Sequence, residues 1–143
     1  MATMKDCGVK ISKKMDEEAF RIDGFGSTPL FYCILLEKPN SEVAGVILWC
    51  IGYSTRTGRV LNVEDLFLNE EQCSEGVGDV TKFVFHALSD IATSLGCCRC
   101  GWKTSPGNTS KRPIYKNFGA ETLLSLLDVS MSQDAMKSFS KHS

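Results

Sequence analysis

Two apolar stretches on either side of a short turn constrain the fold of this chain more than any other feature. The first stretch covers residues 43–53, the turn covers 54–58, and the second stretch covers 60–68. Apolar runs of this length, bounded by turn residues, are typical of β-strands that form a hairpin. Another apolar run at 30–39 precedes them and ends at Pro39. The sequence therefore predicts three consecutive strands in an antiparallel meander.

A long helix is predicted after the meander, because apolar residues recur at every third or fourth position from Val80 onward. Gly96 is placed to cap the end of this helix. An earlier helix is predicted to begin at Asp16 and to stop within the turn-rich stretch 23–29. The positions that define the apolar face of the long helix are Val80, Phe83, Val84, Ala87, Leu88, Ile91, Ala92 and Leu95.

Short elements are predicted for the last third of the chain. Residues 97–103 read as a short strand, 104–113 as a loop or helix start, 114–120 as a short helix that stops at Gly119, and 121–131 as a last strand or hairpin. This order of elements favours a mixed α/β (α+β) domain, whose central sheet is mostly antiparallel and flanked by helices, over a regular doubly wound fold.

Length and charge limit the class of protein. The 143 residues predict a single domain over 16–143 behind a short polar segment at 1–15. Charged residues make up 23% of the chain and the net charge is −1. The chain therefore lacks the excess of positive charge with which proteins bind nucleic acid or an anionic membrane. No run approaches the roughly 18 apolar residues of a spanning helix, and the first 30 residues are too charged for a signal peptide. We expect a cytoplasmic protein with neither nucleic-acid nor membrane partners.

The seven cysteines favour free thiols in a reducing compartment, since their number is odd and three of them crowd into 96–102. The alternative is a metal site formed by Cys97, Cys98 and Cys100. Neither a second Cys-x-x-Cys nor a pair of histidines at ligand spacing accompanies them. We expect buried or half-buried thiols and no metal.

Three stretches in a fixed order point to a family: "VEDLFL" at 63–68, the turn of Gly76 and Gly78 before the long helix, and "NTSKRPIYKNFGA" at 108–120. In this order they resemble the Gcn5-related N-acetyltransferases, and more closely the diamine (spermidine/spermine) and thialysine acetyltransferase branch. The resemblance covers about residues 16–131, and the combination is more specific than any one stretch. It implies a sheet with splayed central strands that bind acetyl-CoA as cosubstrate.

The resemblance implies that the pantetheine pairs with the backbone of the 63–68 strand and that the pyrophosphate binds the glycine turn. Free N–H groups and a helix N-terminus attract phosphate without any side chain, and glycine lets the backbone come close. The alternative for the turn is an ordinary loop and helix cap. The predicted cofactor-binding residues are Leu66, Phe67, Leu68, Ser74, Glu75, Gly76, Val77, Gly78 and Asn108.

This turn departs from the family pattern, because the family's basic residue falls at Cys73 and a further glycine falls at Ser74. The backbone cradle is therefore retained without its positive charge. Glu75 and Asp79 add negative charge near the predicted pyrophosphate, so we expect weaker binding of acetyl-CoA.

Tyr115 and Glu64 are the predicted catalytic residues. The resemblance implies that the Tyr115 hydroxyl is the general acid for the departing thiolate, and the alternative is a tyrosine that only packs in the core. A primary amine is protonated at neutral pH, so a base must take its proton. Glu64 and Asp65 are consecutive on a strand, which predicts opposite faces for their side chains. The resemblance implies that Glu64 faces the substrate amine, and the alternative is a solvated charge.

The acceptor is expected to be a primary amine of a small molecule, contacted by Glu64, Asp65 and Arg56. In the polyamine branch the turn carries an Asp and a Trp at the positions of Ser54 and Arg56, so we expect poor use of polyamines and better use of a lysine-like amine. The family often forms homodimers, which predicts a homodimer here. The alternative function is a pseudoenzyme that binds or regulates without catalysis.

Overall fold

The computed structural model describes the backbone of residues 16–69, 77–105, 107, 109, 112–123 and 129–140. Within these ranges the chain forms four helices and four strands. In chain order they are α1 (Glu17–Phe25), β1 (Tyr32–Glu37), β2 (Val43–Ser54), β3 (Gly58–Leu68), α2 (Val77–Ser94), β4 (Arg99–Trp102), α3 (Arg112–Asn117) and α4 (Gln133–Ser140).

Contacts divide the chain into two compact units. The larger unit spans Glu17–Thr104 and contains α1, the four strands and α2. The second unit includes the chain from Ser105 onward, which contains α3 and α4. The single domain expected over 16–143 stays a prediction.

The strands form one open sheet in the order β1-β2-β3-β4. β1, β2 and β3 pair antiparallel as consecutive neighbours, which confirms the predicted meander. β4 pairs parallel to β3, and two parallel neighbours need a crossover connection, which α2 supplies. The predicted fold class, a mixed α/β domain with a mostly antiparallel sheet flanked by helices, is confirmed.

The core of the first unit lies between α2 and one face of the sheet. Because strand side chains alternate between faces, Ile47 of β2 shares one face with Leu61 of β3, opposite the apolar stripe of α2. The rings of Phe85 on α2 and Trp102 on β4 lie 4.5 Å apart at this interface. The most buried side chains of this core are Ile47, Leu61, Val84 and Leu88.

Two helices end as their sequences predict, each at a glycine with positive φ. Gly96 has a φ of 67°, and its N–H and that of Cys97 donate to the carbonyls of Thr93 and Ala92 at the end of α2. Gly119 has a φ of 79° and ends α3 with two hydrogen bonds of the same pattern. This arrangement satisfies carbonyls that a helix end leaves without intrahelical partners.

The C-terminal part differs from its prediction. Residues 121–123 and 129–131 have no regular structure, and the remainder of the predicted last strand, 124–128, lies outside the described residues. The short helix α4 was not predicted, because its sequence is mostly polar. Within the described ranges, no helix has both the length and the apolar character needed to cross a membrane.

Candidate functional site

The part of β3 beyond Val63 contains five of the predicted site residues, Glu64 to Leu68. The parallel ladder between β3 and β4 runs only from the Val60–Arg99 pair to the Val63–Trp102 pair. β3 itself continues to Leu68 and stays paired with β2. Over 64–68, β3 therefore has a strand neighbour on one side only among the described residues, and its other edge carries unpaired backbone groups.

The backbone amides of Leu66 and Leu68 point to this open edge. The N–H of Asn69 donates to the carbonyl of Ala44 on β2, 2.9 Å away. Backbone groups alternate in direction along a strand, so the groups of Phe67 also face β2, whereas those of Leu66 and Leu68 face away from it. Two of the three predicted strand positions thus offer a donor to a ligand at the edge.

A β-bulge at Glu64 changes the faces of the acidic residues. Leu48 pairs with Asp65 and its neighbour Trp49 pairs with Val63, which leaves Glu64 as an extra residue in β3. A bulge interrupts side-chain alternation.

The prediction of opposite faces for Glu64 and Asp65 is therefore wrong. Asp65 lies opposite Leu48, and Glu64 contacts Cys50, two residues further along β2. Both acidic residues lie on the sheet face that points away from α2.

The Glu64 carboxylate accepts a hydrogen bond from the thiol of Cys50, with 3.5 Å between Sγ and Oε1. Burial raises the pKa of the Cys50 thiol, and the hydrogen bond and charge of Glu64 raise this pKa further, while a hydrogen bond from the Asn62 side chain lowers it. The thiol therefore keeps its proton at neutral pH and acts as a donor. Sequence reasoning missed Cys50 and its neighbour Asn62, because nothing in the pattern revealed the bulge that brings Glu64 to Cys50.

The Asp65 carboxylate contacts the open edge directly. Its Oδ1 accepts a hydrogen bond from the N–H of Leu66, at 3.0 Å. One of the two edge amides is thus bound by a side chain of the same strand.

The start of α2 lies in the same unit as β3. The helix begins at Val77, three residues before the predicted apolar pattern, so Gly78 lies in its first turn. The first N–H groups of a helix lack intrahelical acceptors and carry partial positive charge. The other predicted cofactor-binding residues lie outside the described residues, namely Ser74, Glu75, Gly76 and Asn108, and so does Cys73.

Arg56 lies in the turn between β2 and β3. Its N–H donates to Ser54 Oγ at 3.3 Å, and Gly58 closes the turn with a φ of 94°. Within the described ranges the Arg56 guanidinium makes no ion pair. It is exposed and available to an anionic group.

Tyr115 lies on α3, in the second unit, and is half-buried. Burial raises the pKa of its phenol. The hydroxyl therefore keeps its proton throughout the neutral range, as a general acid requires.

The described cysteines are free thiols, and they include Cys97, Cys98 and Cys100. The Cys98 thiol donates to the backbone carbonyl of Arg59 at 3.0 Å. Among the described residues, no group of three or more His, Cys, Asp or Glu side chains could hold a metal ion.

Comparisons with curated proteins give a consistent class, although no family model matches the chain. Thialysine N-epsilon-acetyltransferase of Bos taurus is 31% identical over 117 residues, which are 77% of this chain and 67% of that protein. The Mus musculus protein of that name is 32% identical over the same shares. Spermidine/spermine N(1)-acetyltransferase-like protein 1 of Homo sapiens is 33% identical over 72% of this chain and 15% of its own length.

Solved structures agree on the fold. An integron cassette protein from the mobile metagenome of V. cholerae has a TM-score of 0.68 at 18% identity, over 89% of this chain and 79% of its own. An aminoglycoside N-acetyltransferase in complex with CoA has a TM-score of 0.63 at 16% identity, over 81% of this chain and 87% of its own.

The open sheet, whose parallel ladder between β3 and β4 ends at Val63, and these relatives define the class as N-acetyltransferases, which are acyltransferase enzymes. Within this class the chain belongs to the Gcn5-related N-acetyltransferase superfamily, in its diamine acetyltransferase-like branch. The family expected from the three sequence stretches is thereby confirmed.

Proposed function

We propose that this protein transfers the acetyl group of acetyl-CoA to a primary amine of a small molecule. The observation that carries the proposal is the open edge of β3 over 64–68, where the Leu66 and Leu68 amides face away from β2. Backbone donors at a strand edge can pair with an extended, amide-containing chain such as pantetheine. The first turn of α2, in the same unit, has the free N–H groups that favour a pyrophosphate.

Acetyl-CoA supplies an acetyl thioester when bound. Leu66 and Leu68 would hold its extended arm through their backbone, and the segment 74–78 would hold its pyrophosphate, with Asn108 as a further contact. The backbone donors of these segments fit the cosubstrate, since they are neutral or lie at a positive helix end, whereas the Glu75 carboxylate opposes its negative charge.

Glu64 is the proposed acceptor of the proton that the ammonium group of the substrate must lose. Its carboxylate lies on a strand and is not buried, and the Cys50 thiol binds one of its oxygens. The other oxygen remains for a substrate amine or a water. A neutral amine can then attack the thioester carbonyl carbon, and the carbon–sulfur bond breaks.

Tyr115 is the proposed donor of a proton to the departing sulfur. Its phenol, whose pKa burial raises, holds that proton at neutral pH. The products are the N-acetylated amine and free CoA. The nitrogen loses two protons: Glu64 takes the first before the attack, and the second leaves as the carbon–sulfur bond breaks and replaces, through water, the proton that Tyr115 gives to the sulfur.

The proposed acceptor carries its own carboxylate, as a lysine-like or thialysine-like amino acid does. Arg56 is exposed in the β2–β3 turn, and within the described ranges it makes no ion pair, so it can bind a carboxylate. A polyamine would instead meet this positive charge. The names of the thialysine relatives support the same class of acceptor.

A titration and an activity assay test the proposal together. Calorimetric titration with acetyl-CoA is expected to show binding, and release of free CoA is expected with lysine-like amines more than with spermine. The double variant Ser54→Asp with Arg56→Trp is expected to raise the use of spermine. Preference of the native protein for spermine would contradict the proposed acceptor, and absence of acetyl-CoA binding at millimolar concentration would contradict the enzyme.

A second candidate is a module with the acetyltransferase fold that binds without catalysis. Two observations favour it: the Asp65 carboxylate binds the Leu66 amide, and the turn before α2 has Cys73 where the family has a basic residue. Acetyl-CoA binding without CoA release for any amine in the panel is the result expected from this candidate.

A further inference from the structure

We propose that Cys50 is a positioning residue, whose thiol orients the carboxylate of Glu64 toward the substrate amine. The inference rests on the proposed function of Glu64 as proton acceptor.

The bulge is the reason that Glu64 needs such a partner. Leu48 and Trp49 pair with the residues on either side of Glu64, so Glu64 itself lies opposite no residue of β2. A regular strand fixes the direction of a side chain through its opposite neighbour, and an extra residue in a bulge lacks that constraint. The Cys50 thiol supplies the missing contact, 3.5 Å from Oε1.

Cys50 is itself firmly held. It lies on β2 with its backbone opposite Asn62 of β3, directly after the last residue of β2 that pairs with β1. The residue before it, Trp49, is 7% exposed and stacks on Tyr32 with ring centroids 4.6 Å apart. The donor atom therefore starts from a fixed backbone position.

Asn62 and Gly52 complete the arrangement. The Asn62 side chain is close enough to hydrogen-bond the Cys50 sulfur. A Cβ at Gly52 would lie only 2.6 Å from Asn62 Nδ2, so the glycine leaves the space that the Asn62 amide occupies. The Cys50 sulfur thus has two side-chain partners on β3, Asn62 and Glu64.

A thiol suits this role chemically. It is a weak donor, so it can orient a carboxylate that must still accept a proton during turnover. Desolvation of the sulfur also keeps the thiol protonated, and a thiolate would repel Glu64.

Kinetics of matched variants test the positioning role. Cys50→Ala is expected to lower kcat about tenfold, because the acceptor loses its orientation, with the KM for acetyl-CoA unchanged. Cys50→Ser keeps a donor and is expected to retain most of kcat. Cys33→Ala is the control, since Cys33 is exposed on β1 opposite Leu48, whereas the thiol that binds Glu64 is that of Cys50. Equal kcat values for Cys50→Ala and native protein would overturn the inference and leave the proposed function standing.

A second measurement needs no activity. The pH dependence of iodoacetamide alkylation, followed by mass spectrometry of the peptide that contains Cys50, gives the pKa of its thiol. Glu64→Gln is expected to lower this pKa, because the Glu64 carboxylate raises it in the native protein. Asp65→Asn is the control, since the Asp65 carboxylate binds the Leu66 amide instead.

An unchanged thiol pKa in Glu64→Gln would show that the contact does not form in solution and would overturn the inference whatever the activity. If the native protein releases no CoA with any amine, the proposed function fails. The pH titration of the Cys50 thiol still shows whether its contact with Glu64 forms in solution.

Discussion

At the scale of single residues, the proposed mechanism depends first on a phenol that keeps its proton. Tyr115→Phe removes the hydroxyl that carries this proton, so turnover is expected to fall by about one to three orders of magnitude. The affinity for acetyl-CoA is expected to change little, because a general acid acts mainly in the transition state. Steady-state CoA release and calorimetry on the same samples check both expectations. A rate equal to that of the native protein would exclude Tyr115 from the chemistry.

Asp65 is the second residue whose role can be tested singly. Its carboxylate binds the Leu66 N–H that the proposed pantetheine site requires. Asp65→Ala frees this donor, and a net hydrogen bond contributes about 0.5–1.5 kcal/mol. We therefore expect acetyl-CoA to bind about threefold to tenfold more tightly to this variant in calorimetric titrations.

Asp65→Asn is the matched control, because its amide oxygen can still accept the Leu66 N–H. Its affinity is expected to stay near that of the native protein. Weaker binding by Asp65→Ala would indicate that the carboxylate assists the cosubstrate rather than competing with it.

At the scale of elements, the turn before α2 is expected to bind pyrophosphate through its backbone and the helix N-terminus alone. Cys73→Arg restores a basic side chain where the family has one, and a charge-assisted hydrogen bond contributes about 1.5–3 kcal/mol. Acetyl-CoA is expected to bind at least tenfold more tightly, and added salt is expected to reduce the gain.

Cys73→Gln separates charge from hydrogen bonding, since its side chain is a neutral donor. It is expected to give a smaller and salt-independent gain. An arginine variant with unchanged affinity would mean that residue 73 is not the family's basic position.

The strand β4 offers a test of stability against pH. Burial raises the pKa of the Cys100 thiol above its ordinary value of 9.0, and the charge of Cys97 raises it further. Above pH 9 the unfolded state therefore loses this proton before the native state does, so the free energy of unfolding falls as the pH rises. Below pH 9 the Cys100 thiol is protonated in both states, so its contribution to the free energy of unfolding is constant.

Urea unfolding followed by circular dichroism between pH 8 and pH 10.5 measures this effect. Cys100→Ala is expected to weaken the decline, although its stability at pH 8 is lower because it leaves a partly buried cavity. The same slope in variant and native protein would rule out a contribution from Cys100.

At the scale of the whole molecule, the sequence predicts best where apolar patterning is long. The meander and α2 follow from such patterns, and Gly96 and Gly119 end their helices where a residue without Cβ is needed. The bulge at Glu64 leaves no mark in the pattern, so the faces of Glu64 and Asp65 were predicted wrongly. α4 is a short, mostly polar helix whose few apolar residues do not distinguish it from a loop.

Only part of the candidate site could be predicted from the sequence. Glu64 and the edge positions were found through the family resemblance, and the structure adds the direction of their backbone groups. The contact between Cys50 and Glu64 depends on cross-strand register, which no local pattern encodes. The homodimer and the cytoplasmic location stay predictions.

The positions of the two tryptophans have a practical consequence for the unfolding of this molecule. Trp49 and Trp102 are the only tryptophans of the chain, and both lie in the unit Glu17–Thr104. Trp49 is 7% exposed, and its indole N–H has no hydrogen-bond partner among the described residues, so its fluorescence should be that of an apolar environment. Emission excited selectively at tryptophan therefore reports the melting of this unit alone. A transition that removes helical ellipticity and leaves the emission unchanged then belongs to helices outside the tryptophan-containing core, namely α1, α3 or α4.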